Sequence, residues 1–283
     1  MNAIEIKGLK KSYPGFDLAL DLNLPQGSIL GLVGENGAGK TTTIKALLGM
    51  LRPDAGEIRV LGADNRDRKS FAPVRERIGV VLDEAPFPEC LTAEQLGKVM
   101  AGIYRSWDRD AYAGYLKTLG IPTGKKFRDF SRGTKMKQSI AVALSHHPEL
   151  LVLDEPTSGL DPVVRDEVVE LFSEFTRDEG HSVLISSHIV SDLEKLCDYI
   201  AFLHKGRLLL FEEKDALREK YALAQMSKTD FAALDESLVI GHRATPYGVS
   251  AILRRDALPK GLEAEPVSIE DLFILMVKEA GEA

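Results

Sequence analysis

A chain of 283 residues with 44% hydrophobic content has enough apolar material for about two domains, or for one large domain with an appendage. Its formal net charge of −7 argues against nucleic acid as the main ligand, because phosphate contacts need clustered positive charge. No apolar run approaches the roughly 20 residues that span a bilayer, and Met1 to Lys7 lacks the charged and apolar regions of a secretory leader, so a cytoplasmic location is expected.

Ile4 to Lys7 and Leu18 to Leu22 alternate as strands do, joined by a turn at Pro14-Gly15, and Pro25-Gln26-Gly27 turns the chain again. Tyr13, on the first turn, is an aromatic face that either packs locally or stacks on a purine ring. Ile29 to Val33 reads as a buried strand, and Thr42 to Leu48 as a helix with Ile44, Leu47 and Leu48 on one face. Between them, Gly34-Glu35-Asn36-Gly37-Ala38-Gly39-Lys40-Thr41 has the spacing G-x-x-x-x-G-K-[ST] of a phosphate-binding loop. Its glycines let successive N–H groups converge on one anion, and the helix N-terminus adds partial positive charge. Lys40 would reach the β- and γ-phosphates of a nucleotide, and Thr41 would bind Mg²⁺.

Leu51 to Gly56 is a connection, Glu57 to Leu61 a short strand, and Ile78 to Leu82 an apolar strand that ends at Asp83-Glu84. Those two acids either touch Mg²⁺ or its water, or open a solvated loop. Thr92 to Gln95 is a capping-box pattern opening a helix to about Tyr104, and a second helix is expected over Asp108 to Leu119, stopped by Gly120-Ile121-Pro122. The two helices read as a lobe inserted between strands, suited to contacting another protein. Cys90, near its start, and the later Cys197 have no metal-ligand spacing and are expected as buried, reduced thiols. Ser131-Arg132-Gly133 carries little alone, since a serine there also caps a helix, here expected from Lys135 to Ser145.

Leu150 to Asp154 is a continuous apolar strand ending in Asp154-Glu155, as in a central parallel strand whose acidic end meets a ligand. After a phosphate loop, Asp154 is expected to hold the metal, and Glu155 to orient or deprotonate an attacking water. Asp161-Pro162 opens a helix to about Asp178, with Asp161 as cap, and Ser182 to Ser186 is the next strand. His188 stands just past it, placed either for structure or to donate to a γ-phosphate. Ile200 to Leu203 and Leu208 to Phe211 form a hairpin about Lys205-Gly206. From Asp215 the pattern changes to a short charged helix, weak strands such as Ser250 to Leu253, and a terminal helix from Ser268 whose apolar stretch Leu272 to Val277 is a local core or a dimer contact.

Taken in order over about residues 2 to 212, these motifs resemble the ATP-binding cassette (ABC) family. The resemblance implies an α/β, P-loop NTPase core of the ABC type with an antiparallel β-subdomain and a helical subdomain inserted at about 84–140, together spanning 1–213, and a small α+β C-terminal accessory region over 214–283. It makes Gly34 to Thr42 the Walker A loop, Leu150 to Asp154 the Walker B strand, Ser131 to Lys135 the signature sequence, and Ser158 to Asp161 the D-loop. By that carry-over, ATP is held by Tyr13, Gly34, Glu35, Asn36, Gly37, Ala38, Gly39, Lys40, Thr41 and Thr42, with Ser131, Gly133 and Asp161. Mg²⁺ falls to Thr41, Asp83 and Asp154, and catalysis to Glu155, the switch histidine His188, and Lys40.

Two departures from the family pattern matter, one in the signature and one after the strand Ile78 to Leu82. Arg132 and Thr134 replace the usual glycine and glutamine of the signature, although one bacterial exporter branch has a basic residue at the first of these, and Asp83 replaces a glutamine that senses Mg²⁺ and couples to the membrane subunit. In the family two cassettes meet head to tail, each signature covering the other's ATP. The resemblance therefore implies a second nucleotide-binding subunit and a separate transmembrane permease as partners, with export powered from the inner face of the membrane. A soluble cassette ATPase acting on ribosomes or DNA is an alternative, but such chains carry two cassettes or a long coiled-coil insertion. A regulator with weak hydrolysis is another, and Glu155 speaks against it.

Overall fold

The computed structural model describes residues 1–84, 87–259 and 262–282. Residues 85 and 86 of the expected lobe, and 260, 261 and 283 of the C-terminal region, lie outside the described residues. Ten strands form one sheet: β1 (Asn2–Tyr13), β2 (Phe16–Pro25), β3 (Ile29–Val33), β4 (Ala55–Val60), β5 (Ala63–Asp64), β6 (Ile78–Val81), β7 (Leu150–Asp154), β8 (Ser182–Ser187), β9 (Tyr199–His204) and β10 (Arg207–Glu213). Their order is β5-β4-β1-β2-β10-β9-β3-β8-β7-β6. The half built from β9, β3, β8, β7 and β6 is parallel, while β1 pairs antiparallel with both β2 and β4.

Sequence pattern and sheet position agree. Strands β3, β7 and β8 are buried at every residue, because helices cover both faces of a parallel sheet; β3 and β7 read as near-continuous apolar runs, while β8 carries buried Ser182, Ser186 and Ser187. Strand β2 alternates buried and open positions, as expected of a sheet with one wetter face. Within the buried strands, period two still sorts side chains between faces. Leu30, Leu32, Val152 and Leu184 join one core with Ile44 and Leu47 of α1 (Lys40–Leu47) and Phe71 and Val74 of α2 (Arg68–Arg75). Ile29, Val33, Leu151, Leu153 and Ile185 join the other. The fully buried leucines and isoleucines contribute about 1.5–3 kcal/mol each.

The inserted lobe holds α3 (Ala93–Met100), α4 (Arg109–Thr118) and the face of α5 (Arg132–Leu144) that carries Ala141 and Val142. Thr92 and Gln95 form the expected capping box, although α3 ends at Met100 rather than near Tyr104. Helix α5 also lends Ile140 and Ala143 to the sheet core, so it ties lobe and sheet together mechanically. It starts three residues earlier than its apolar pattern suggests, because Ser131 caps it, accepting from Thr134 N at 3.2 Å. Cys90 is exposed, contrary to expectation, since it lies in the turn before Thr92 rather than on a packed face; only Cys197 is buried.

Helices α6 (Pro162–Phe175) and α7 (Val190–Leu196) flank the second core through Val168, Phe172, Val190 and Leu193. The C-terminal region holds α8 (Lys214–Lys220), β11 (Tyr221–Met226), α9 (Lys228–Ala232), β12 (Val239–Thr245), β13 (Gly248–Arg254), β14 (Ala264–Pro266) and α10 (Ile269–Glu282). Its antiparallel sheet has the order β12-β13-β11-β14. Leu272 and Leu275 of α10 are buried in the same core as α7, and Phe273 meets Phe202 edge-on at 5.2 Å, so this apolar stretch is local core. No helix among the described residues is long and apolar enough to cross a membrane.

One buried titratable group links α5 to the lobe. His146 is 1% exposed, stacks on Tyr104 with centroids 4.0 Å apart, and has Nδ1 3.0 Å from the Glu76 carbonyl. Burial outweighs that hydrogen bond and pulls its pKa below the ordinary 6.5. The unfolded chain therefore takes up this proton first, so the contribution is fully present above about pH 6.5 and is lost as pH falls toward the lower, folded-state pKa. We expect the melting temperature to drop on acidification through that window and the drop to shrink in His146→Gln. An equal drop in both proteins, measured by calorimetry, would remove His146 from the account.

Candidate active site

Parallel register brings the chemistry to one edge. Val33 pairs with Ser187 and Asp154 with Ser186, so the carboxyl ends of β3, β7 and β8 lie side by side. The glycine loop, Asp154-Glu155 and His188 all follow those ends, where ligands sit on open α/β sheets. Gly34 has to be glycine because a Cβ there would lie 2.6 Å from the Leu203 carbonyl. Gly39 has φ +112°, and a Cβ would lie 2.8 Å from Leu18. Gly39 also caps α1 without a side-chain bond, which leaves the first N–H groups of that helix to face an anion.

An open cleft of about 360 Å³ is lined by Tyr13, Phe16, the loop residues Glu35 to Gly37 and Gly39 to Thr42, Asp83 and Glu155. Lys40 is 6% exposed and donates to the Gly34 carbonyl at 2.6 Å and the Glu35 carbonyl at 3.2 Å. Its ammonium also lies 3.0 Å from Glu155 Oε1. The other Glu155 oxygen is 2.7 Å from His188 Nδ1, which donates there when that nitrogen carries the proton, and 3.3 Å from the His188 backbone N–H. Glu155 has φ +52°, an uncommon conformation for a residue with a Cβ, and its N–H donates to both Ser186 O and Ser186 Oγ at 3.1 Å. A carboxylate is thus held between a lysine and a histidine in a strained turn.

Beside it, Asp154 is 2% exposed. Thr41 Oγ1 donates to Asp154 Oδ2 at 2.8 Å, and Ser186 Oγ to Asp154 Oδ1 at 2.6 Å. A hydroxyl and a fixed carboxylate are hard oxygen donors, which suits a small cation that keeps waters and shares phosphate oxygens. At the rim, Asp83 Oδ1 accepts from Arg132 Nη2 at 2.8 Å. Ser131 and Gly133 stand at the N-terminus of α5, outside the lining of the cleft that holds Lys40. Asp161 caps α6, accepting from Val163 N at 3.2 Å and Val164 N at 3.1 Å.

The ABC transporter family model matches residues 18–158. The chain is 37% identical to the bacitracin transport ATP-binding protein BcrA of Bacillus licheniformis over 220 residues, 76% of this chain and 71% of that protein. The chain belongs to the ABC transporter family. It is an ATP-binding, ATP-hydrolysing subunit of an ABC transporter. A lantibiotic transport ATP-binding protein of Streptococcus pyogenes, SrtF, is 35% identical over 75% of this chain and 91% of its own length. The ABC transporter ATP-binding protein YtrB of Bacillus subtilis is 30% identical over 96% of this chain and 97% of itself, so that likeness runs through the C-terminal region as well. Among solved structures, an ATP-binding subunit of an ABC transporter aligns with TM-score 0.66 at 29% identity, over 76% of this chain and 92% of that one. A dimeric cassette bound to ADP and Pi shares the fold, with TM-score 0.67 at 21% identity over 75% and 98%.

Within the ABC frame, two groups stand out that sequence reasoning did not single out. Ser186 fixes both Asp154 and Glu155, and its only signal in the sequence is a polar residue ending an apolar strand. Asp192, 6% exposed on α7, accepts from Thr157 Oγ1 at 2.9 Å and from Arg165 Nε at 2.7 Å. That junction joins α6 and α7 to the loop after Glu155. Thr157 leads into Ser158 to Asp161 ahead of α6, and His188 stands two residues before α7, so the junction lies between those two segments.

Proposed function

We propose that the chain binds ATP with Tyr13 and Gly34 to Thr42, including Glu35, Asn36, Gly37, Ala38, Gly39, Lys40 and Thr41, and hydrolyses it with Glu155 as base. The observation that carries this reading is the Glu155 carboxylate, bridged between Lys40 at 3.0 Å and His188 at 2.7 Å on the rim of the glycine loop. A γ-phosphate entering the cleft competes with Glu155 for Lys40, freeing that carboxylate to take a proton from water. A positioned base of this kind contributes about 10² to 10⁴ in rate. His188 holds Glu155 in place at 2.7 Å and would donate to the γ-phosphate in turn.

Thr41 and Asp154 would hold Mg²⁺, with Asp83 an outer contact from the rim; bound there, the ion neutralises charge across the β- and γ-phosphates. Ser131, Gly133 and Asp161 act on the nucleotide of a second copy, in a head-to-tail dimer with two sites. We assign residues 1–213 to the cassette, with its helical lobe at about 84–140, and 214–283 to an accessory region. The subunit works on the inner face of the membrane, held there by a separate permease docked on the lobe.

The bacitracin and lantibiotic relatives favour an exporter of antibiotic peptides. Cells that carry this chain with its permease are expected to tolerate several-fold more of a peptide antibiotic such as bacitracin, and cells with Glu155→Gln are not. Equal tolerance in both strains, at equal protein levels, overturns hydrolysis-driven export of that class.

A further inference from the structure

Two of the three positions at which this chain departs from the family pattern, Asp83 and Arg132, touch each other. Asp83 and Arg132 are 49 residues apart in sequence, yet Arg132 Nη2 donates to Asp83 Oδ1 at 2.8 Å. Asp83 lines the cleft of its own glycine loop, as Thr41 and Glu155 do. Arg132 is the first residue of α5, directly after the cap Ser131 and before Gly133. The same guanidinium lies against Gly159 of the D-loop, where a Cβ would be 3.1 Å from Arg132 Cζ, and Gly133 packs toward Leu160, whose Cδ2 would be 3.6 Å from a Cβ at Gly133. Arg132 therefore spans from a protomer's own nucleotide cleft to the two segments, signature and D-loop, that the head-to-tail reading directs at the partner's nucleotide.

We propose that the Asp83–Arg132 ion pair is a relay between the two sites of the dimer: the content of one protomer's cleft sets the placement of the donors that this protomer offers to the other's ATP. This rests on the head-to-tail reading above. The physical step is charge competition. Asp83 is a full negative charge on the wall of a cleft built for a polyanion, and Arg132 neutralises it. Both side chains are about half exposed, at 50% and 55%, so the pair is weak enough to be exchanged rather than locked. A triphosphate in the cleft repels Asp83, whereas a metal ion attracts it, and either event changes the hold on Arg132. Because Arg132 sits in the first turn of α5, that change reaches Ser131 and Gly133 directly. Arg132 and Asp83 are positioning residues in this scheme.

The test is a double-mutant cycle on the ATP concentration that drives half of the protein into dimers, read by light scattering in a Glu155→Gln background. Asp83→Asn and Arg132→Gln are each expected to raise that concentration about five-fold, the effect of an exposed ion pair. The double variant is expected to raise it about five-fold also, rather than the roughly 25-fold of independent sites. Arg132→Lys, which keeps the charge, is expected to recover most of the loss, a result that a mere packing role would not give. Additive effects overturn the relay. So does a loss with Arg132→Gln alone while Asp83→Asn is silent, which would instead put Arg132 on the partner's nucleotide. If Glu155→Gln by itself forms no ATP-dependent dimer, the head-to-tail reading has failed before the relay is reached, and the two failures are told apart by that control.

Discussion

Glu155→Gln is expected to lower steady-state phosphate release by about 10² to 10⁴ fold, the contribution of a positioned general base, while ATP binding survives. The geometry gives the reason that binding survives. Lys40 meets two backbone carbonyls as well as Glu155, at 2.6 and 3.2 Å, and these stay in place when the carboxylate becomes an amide. The amide has nearly the same shape, so the strained turn at φ +52° and its bonds from Glu155 N to Ser186 are kept. The Lys40 and Glu155 side chains are only 6% and 12% exposed, so the charge that competes with a γ-phosphate for Lys40 is a poorly solvated one. Its removal should leave ATP affinity equal or tighter. The variant is therefore expected to accumulate an ATP-bound dimer that the wild type passes through. Filter-bound nucleotide and phosphate release, measured on the same preparation, check both halves. Unchanged turnover in Glu155→Gln would sink the assignment of this residue as base.

The parts of this site that could be read from sequence are those where chemistry follows chain order. The buried runs Ile29 to Val33 and Leu150 to Asp154 coincide with β3 and β7 residue for residue, because a strand covered on both faces favours a near-continuous apolar run. Thr92 and Asp161 mark helix starts because their side chains meet backbone donors two or three residues on. Contacts set by register or by distant packing leave no such trace. Ser186 matters only because β8 lies beside β7 with Ser186 opposite Asp154. Asp83 and Arg132 each stand out as a departure from the family pattern, and only the approach of α5 to the end of β6 shows that they neutralise one another. Helices α2 and α7 escaped notice for local reasons: α2 has Pro73 inside it, and α7 has seven residues, too few for a helical period to show. The C-terminal edge strands β12 and β14 show little alternation within their four-stranded sheet.

The second large effect comes from mixing two inactive proteins. Lys40→Met should lose ATP hydrolysis because the loop then has no cation for the β- and γ-phosphates. Gly133→Asp should lose it for another reason, by placing a carboxylate at the N-terminus of α5, where the head-to-tail reading puts the partner's γ-phosphate. Folding tolerates that change: a Cβ at Gly133 meets only Leu160 at 3.6 Å and Val164 at 3.9 Å, ordinary contact distances, and an acidic side chain in the first turn suits the helix dipole. In a head-to-tail dimer that contains one copy of each variant, both defects fall in the same site, and the other site combines an intact Lys40 with an intact Gly133. Random exchange makes about half of the dimers mixed, each with one sound site of two, so about a quarter of wild-type phosphate release is expected to return in the mixture, and about half in purified mixed dimers, if the sites turn over independently. Were α5 to serve the glycine loop of its own chain, every site would carry one defect or the other and the mixture would stay as inactive as its parts. Recovered hydrolysis in tag-purified mixed dimers therefore assigns Ser131 and Gly133 to the partner's ATP, and its absence in dimers shown to be mixed assigns them elsewhere.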